Sequence, residues 1–241
     1  MRADANSILT HLRTVEAERA RRLASGELAA RVQSLKRYQQ QRFAHTYADL
    51  LDSPRYGPAA QFFLDELYGP RDFSERDAQF ARVVPMVVRL FPHDIVETVS
   101  TLAELHALSE TLDSETAARL DVPEVDAAAY ARAWQATGRA EDRERQIALT
   151  LDIGRSLDRL AANPLVRHSL HMMRAPARAA GLGSLQHFLE TGFDTFKGMR
   201  GAQDFLATIG ARERALAAAL FNAAHLTADG QLGDTALGHL P

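Results

Sequence analysis

Apolar residues recur along most of this chain three and four positions apart, the rhythm of helices that bury one face. Leu28, Val32, Leu35, Tyr38, Phe43, Tyr47 and Leu50 keep it across residues 27–51. Ala, Leu, Arg and Glu dominate, and these are strong helix formers. No alternating β-branched run is long enough to predict a strand. Helices are expected over residues 5–23, 27–51, 62–68, 74–91, 93–112, 113–120, 123–138, 139–163, 164–181, 184–199 and 203–221. Turn signals separate them: Ser25-Gly26, Asp52-Ser53-Pro54, Gly69-Pro70, Gly138 and Gly181-Leu182-Gly183. Ser74, Asp113 or Ser114, and Ser184 are expected N-caps, with Asp77 in a capping-box-like position behind Ser74. Pro85 and Pro176 fall inside helical runs, where a kink or break is expected. Pro92 suits a first turn, and Pro123 is expected to start a helix.

The pattern predicts an all-α fold, a bundle of about ten helices with no confident strand. No repeat of 20–50 residues suggests a solenoid. Residues 1–221 are expected to form a single helical domain, with a possible subdomain boundary at 121–124. Residues 222–241, where periodicity fades and Gly, Asp and Thr collect, are expected to be a loosely ordered tail. The segment Phe62-Phe63-Leu64-Asp65-Glu66-Leu67-Tyr68 lies between Pro58 and Pro70, so a short helix is expected. Its first three side chains point about 100° apart, so it should be covered on most sides. Glu66 falls between the directions of Phe62 and Phe63, so it should be partly buried and need an Arg or a hydroxyl. Asp65 should face water.

Composition narrows the function classes. The 241 residues carry a net charge of −3, 46% apolar content and no Cys. Disulfides, thiolate catalysis and cysteinyl metal sites are excluded. The charge balance argues against a dedicated nucleic-acid binder. Residues 1–30 have no apolar core of signal-peptide type, and no run of about 18 apolar residues exists. The expected location is cytoplasmic, with no transmembrane segment. Arg13, Arg19, Arg21, Arg22, Arg31, Lys36, Arg37 and Arg42 make the first two helices basic, which reads as a solvated face or as a surface for an acidic partner.

The strongest chemical candidate lies in the helix expected over 93–112. Ile95, Val99, Leu102, Ala103 and His106 share one stripe, with Glu110 one turn further on. His93, Glu97 and Glu104 fall on the opposite side. A buried imidazole and carboxylate need partners. His106 and Glu110 therefore read as a satisfied core pair, as a metal or haem ligand oriented by its carboxylate, or as an acid–base site. His168 and His171, three apart, are weaker metal candidates, as is the pair His187 and Glu190. No Glu-x-x-His of di-iron bundles occurs. No Gly-x-Ser-x-Gly, Walker loop or dinucleotide fingerprint is present.

The segment at 62–68 resembles the signature of an uncharacterised proteobacterial family named for its Phe-Phe-Leu-Glu-Glu-Leu-Tyr motif, with Asp65 in place of the first Glu. Pro54-Arg55-Tyr56, Gly69-Pro70-Arg71-Asp72, residues 102–108 and Arg174-Ala175-Pro176-Ala177-Arg178 are similar too. The resemblance covers about residues 33–221 and implies no activity and no catalytic residue. Leu102-Ala103-Glu104-Leu105-His106-Ala107 also looks like the haem-binding helix of globins, although Pro85 and the number of helices depart from that fold.

Three functional expectations follow. The first is a non-catalytic helical binding or regulatory protein that acts through a protein partner or as a homodimer. The second is a haem- or metal-binding protein using His106 with Glu110. The third is a hydrophobic-ligand carrier with a pocket lined by Phe62, Phe63, Tyr68 and Phe91.

Overall fold

The computed structural model of the protein describes residues 4–66, 73–222 and 240–241. Among them are eleven helices and no strand. They are α1 (Ala5–Leu23), α2 (Gly26–Thr46), α3 (Ala48–Leu51), α4 (Gly57–Glu66), α5 (Ser74–Leu90), α6 (His93–Ala117), α7 (Ala127–Thr137), α8 (Ala140–Ala161), α9 (Pro164–Ala179), α10 (Gly183–Met199) and α11 (Gln203–Phe221). Leu67 and Tyr68 of the aromatic motif lie outside the described residues, as does the expected tail apart from Asn222, Leu240 and Pro241.

Local chemistry sets most boundaries. Asp4, Ser25, Asp126 and Asn163 cap α1, α2, α7 and α9 through their side-chain oxygens. Gly138, at φ 65°, ends α7 in a backbone region that favours glycine.

Several expectations need correction. The helix expected over 27–51 breaks at Tyr47, whose φ of −117° and ψ of 26° leave the helical region. Pro58 does not bound the aromatic helix: α4 begins at Gly57 and carries Pro58 in its first turn, where a missing N–H costs nothing. Gly57 is required there, because a Cβ would lie 2.6 Å from the Leu51 carbonyl oxygen. Ser74 and Ser184 are not N-caps: Phe73 and Leu182 hold those positions without a side-chain cap bond. Helix α7 begins after Asp126, not at Pro123. Pro85 and Pro176 sit inside unbroken helices.

The most informative correction concerns Asp113 and Ser114. They start no new helix, because α6 continues through them to Ala117. A capping side chain must turn back to its own backbone. Here Asp113 Oδ1 instead accepts from Gln39 Nε2 at 3.0 Å, and Ser114 Oγ accepts from Arg22 Nε at 2.9 Å.

Three apolar clusters hold the helices together. The largest joins Phe43, Tyr47, Phe62, Phe63, Phe193, Phe196, Met199, Phe205 and Leu206. Its rings meet at tilted and edge-on angles, as aromatic quadrupoles prefer: Phe63 lies 6.2 Å from Phe196 and 5.8 Å from Phe205. The second joins α2, the end of α6, α7 and α11 through Leu35, Tyr38, Leu120, Tyr130, Trp134 and Leu216, and Leu240 is buried in it. This cluster spans both sides of residues 121–124. The third packs Ile8 and Leu12 of α1 against Val84, Val96 and Ala103. Helices α8 and α11 approach through exchanged glycines. A Cβ at Gly154 would collide with the Leu206 side chain, and one at Gly210 would stand 2.9 Å from Leu151.

A candidate ligand chamber and its polar end

The interior is not filled everywhere. A chamber of about 440 Å³ lies among α4, α5, α6, α8, α9 and α10, and reaches α2, α7 and α11 at one end. The volume is that of a small-molecule site. Helix α5 contributes Val83 and Val87 to its wall, and Phe91, just past its end, adds a ring. Helix α6 contributes Ile95, Val99 and Leu102, α8 contributes Ile153, Leu157 and Leu160, and α9 contributes Val166 and Leu170. Phe91 is 45% exposed, so the wall reaches the surface there. Among the described residues of α5 only Gln79 and Val84 are buried, and of α9 only Ala177. Both helices form walls around a space.

The wall is graded. Helices α6 and α8 run antiparallel: Gln146 Nε2 donates to Ser109 Oγ at 2.8 Å, while Thr98 lines a shared crevice with Ser156 and Leu160 at the other end. Along α6 the lining passes from Ile95, Val99 and Leu102 to His106, Ser109, Glu110 and Asp113. Along α8 it passes from Leu160 and Ile153 back to Gln146 and Arg143. Lys36, Arg42, Tyr130, Trp134 and Glu213 complete the polar end.

The first polar group surrounds Glu110. Arg22 Nη1 donates to Glu110 Oε2, Arg22 Nη2 donates to the Glu110 carbonyl at 2.6 Å, and Lys36 Nζ donates to Oε1 at 2.6 Å. His106 Nε2 stands 3.8 Å from Glu110 Oε1 and 3.6 Å from Asp77 Oδ2, beyond hydrogen-bond reach. Burial works to raise the Glu110 pKa, but His106, Lys36 and Arg22 together outweigh it and hold the carboxyl well below the usual range. Asp77 also accepts from Arg19 Nη2. Arg76 lies over the Phe188 ring at 4.4 Å and donates to the Glu66 carbonyl at 3.1 Å and to Glu66 Oε2 at 3.3 Å. Glu66 is thus half-buried on an arginine, and Asp65 accepts from Gln61 at 2.9 Å on the exposed side.

The second polar group surrounds Arg143. Its guanidinium lies over the Trp134 ring at 3.9 Å, donates to Thr116 Oγ1 at 2.8 Å and reaches Gln146 Oε1 at 3.3 Å. No carboxylate of the described residues lies within 4 Å of it. Burial pushes its pKa below the usual arginine range. Arg143 Nε, Trp134 Nε1 and Tyr38 Oη are buried without a hydrogen-bond partner among the described residues. Tyr38 and Trp134 both pack on Tyr130, with centroids 4.9 and 5.7 Å away. Nearby, Glu213 Oε1 accepts from Arg42 Nη1 at 2.8 Å and from the Tyr47 hydroxyl at 2.7 Å.

The residues singled out from sequence are thus distributed unevenly. His106, Glu110, Phe62, Phe63, Glu66 and Phe91 all line the chamber. His168, His171 and His187 are exposed, with His171 Nδ1 3.4 Å from Arg174 Nη2 and Glu190 paired with Arg174. Among the described residues no group of three or more His, Asp or Glu side chains is placed to hold a metal ion. The basic face expected on α1 and α2 needs correction: Arg19, Arg22, Lys36 and Arg42 reach inward to Asp77, Glu110 and Glu213. Arg143 and Trp134 escaped the sequence reading. Arg143 shares its stripe of α8 with Ile147, Thr150, Gly154 and Leu157, so the wheel that flagged His106 would have flagged it too.

The class that emerges is an all-helical protein with an internal, graded chamber. The chain belongs to the family described as a domain of unknown function (DUF8198), which it matches over residues 18–226. No curated protein and no solved structure matches it significantly. No helix among the described residues is long and apolar enough to cross a membrane.

Proposed function

We propose that the protein binds an elongated, largely apolar small molecule in its interior, as a carrier or ligand-responsive protein without catalysis of its own. The observation that supports this reading is the chamber of about 440 Å³ walled by aliphatic side chains of five helices. Its apolar part offers water few hydrogen-bond partners, so an apolar ligand would gain burial there. Haem or metal ligation through His106 has less support, because its Nε2 faces Asp77 and Glu110 rather than the apolar part of the chamber. We also read residues 62–66 as part of the Phe-Phe-Leu-Glu-Glu-Leu-Tyr signature, whose rings here close one wall.

An environment-sensitive dye such as Nile red tests the reading. It should bind the purified chain with a defined stoichiometry. Leu102→Trp, which fills the middle of the chamber, should abolish binding while leaving the helical circular dichroism intact. Equal dye binding by wild type and a folded Leu102→Trp protein would defeat the reading.

A second reading is self-association through α5 and α9. Met86, Leu90, Leu165, Met172 and Met173 on those two helices, and Phe91 just past α5, are large exposed apolar side chains. Light scattering across a concentration series tests it, and a monomer at every concentration would dispose of it.

A further inference from the structure

We propose that the ligand is an aliphatic monocarboxylate, and that Arg143 supplies the counter-charge for its head at the polar end of the chamber. This deepens the ligand-binding reading above and rests on it. Arg143 is only 3% exposed, and a buried charge is ordinarily paired. Lys36, Arg42 and Arg143 line this end with Glu110, Asp113 and Glu213, and Arg22 reaches Glu110 from behind; Asp77 and Glu66, which also line the chamber, are held by Arg19 and Arg76. Each carboxylate already has its partner: Glu110 has Arg22 and Lys36, Asp113 has Gln39 with Lys36 at 3.8 Å, and Glu213 has Arg42. Among the described residues Arg143 has only the neutral oxygens of Thr116 and Gln146, and its Nε has no hydrogen-bond partner.

The unsatisfied atoms share one character. Of those that line the chamber, Arg143 Nε and Trp134 Nε1 can only donate. A surplus of donors with one surplus positive charge fits a single anionic acceptor. A phosphate monoester would bring nearly two charges to one spare cation. A sugar would need polar partners along its whole length, and the remainder of the wall is mostly aliphatic and aromatic. The seventeen steps along α8 from Arg143 to Leu160 rise about 25 Å at 1.5 Å each, which suits an extended alkyl chain with its head at Arg143.

The test titrates the full chain with dodecanoate and with 1-dodecanol at neutral pH. Trp134 reports binding, since it is the one tryptophan of the sequence and lies against Arg143. Dodecanoate should bind roughly 10–100-fold more tightly than the alcohol, as expected for hydrogen bonds to a buried charge. Arg143→Gln should bring dodecanoate down to the level of the alcohol measured on the same variant. Gln146→Glu places a carboxylate beside Arg143 and should remove the preference equally, so the test survives if Arg143→Gln does not fold. Equal affinities in the wild type, or a preference that persists in both variants, overturns the assignment of the head and leaves the chamber reading standing. Failure of both compounds to bind overturns both.

Discussion

The two sides of α10 make opposite use of similar residues. Toward α4 and α11, Phe193, Phe196 and Met199 interlock with Phe63 and Phe205, and Phe205 and Met199 are fully buried. Toward α5, α6 and α9, side chains such as Leu189, Val87, Leu102 and Leu170 stand half-buried around a space. The first side gains dispersion and burial from close packing. The second forgoes them, and only a ligand or water can restore contact. Apolar composition alone therefore does not make a core: the facing element must also arrive.

The sharpest way to break the contrast is a pair of truncations. Phe205→Ala should cost about 3–5 kcal/mol in chemical denaturation, as for a buried aromatic. A loss under about 1 kcal/mol would mean that the packed side is not packed. Removing Glu110 comes next. Glu110→Ala leaves the buried Arg22 and the half-buried Lys36 without their carboxylate and should cost about 3–5 kcal/mol.

Acid should act through the same group. The folded Glu110 pKa is depressed, so its contribution to stability is complete above the unfolded value of about 4.3. It is lost as the pH falls below that towards the folded value. Part of the acid sensitivity of the wild type should accordingly disappear in Glu110→Gln, read as the slope of stability between pH 5 and 3. An unchanged slope would separate Glu110 from the acid response.

On the hollow side the effects should be smaller. Val87→Ala removes wall from an existing void rather than creating one, so the loss should stay near or below about 1 kcal/mol. A loss matching Phe205→Ala would erase the distinction between the two sides. Smallest of all, Arg214→Ala breaks an exposed pair with Glu144 that has both side chains about half in solvent. It should move the midpoint by no more than about 1 kcal/mol, and salt should mask even that.

Much of the fold is legible along the chain because helices are local. The stripe Ile95, Val99, Leu102, Ala103, His106 and Glu110 is read from spacing alone, and all six residues line the chamber. Asp113 and Ser114 mislead because their competence to cap is local while their actual partners, Gln39 and Arg22, are 74 and 92 residues away. The same distance hides the partners of Glu110. His106 is its neighbour in sequence, whereas the hydrogen bonds come from Arg22 on α1 and Lys36 on α2. The basic residues of α1 and α2 looked like a solvated face because nothing local says that carboxylates wait opposite.

The sequence by itself determined the helices, the apolar stripe of each and the identity of the groups that need partners, because propensity and a 3.6-residue period act within a few turns. It did not determine whether two stripes would meet. That Phe62 and Phe63 face both a filled core and a void depends on where α5 and α9 come to rest against α10. Whether a buried charge is neutralised or left over depends on which distant side chain arrives. Glu110 received two cations and Arg143 received no carboxylate, and only the tertiary structure decided that difference.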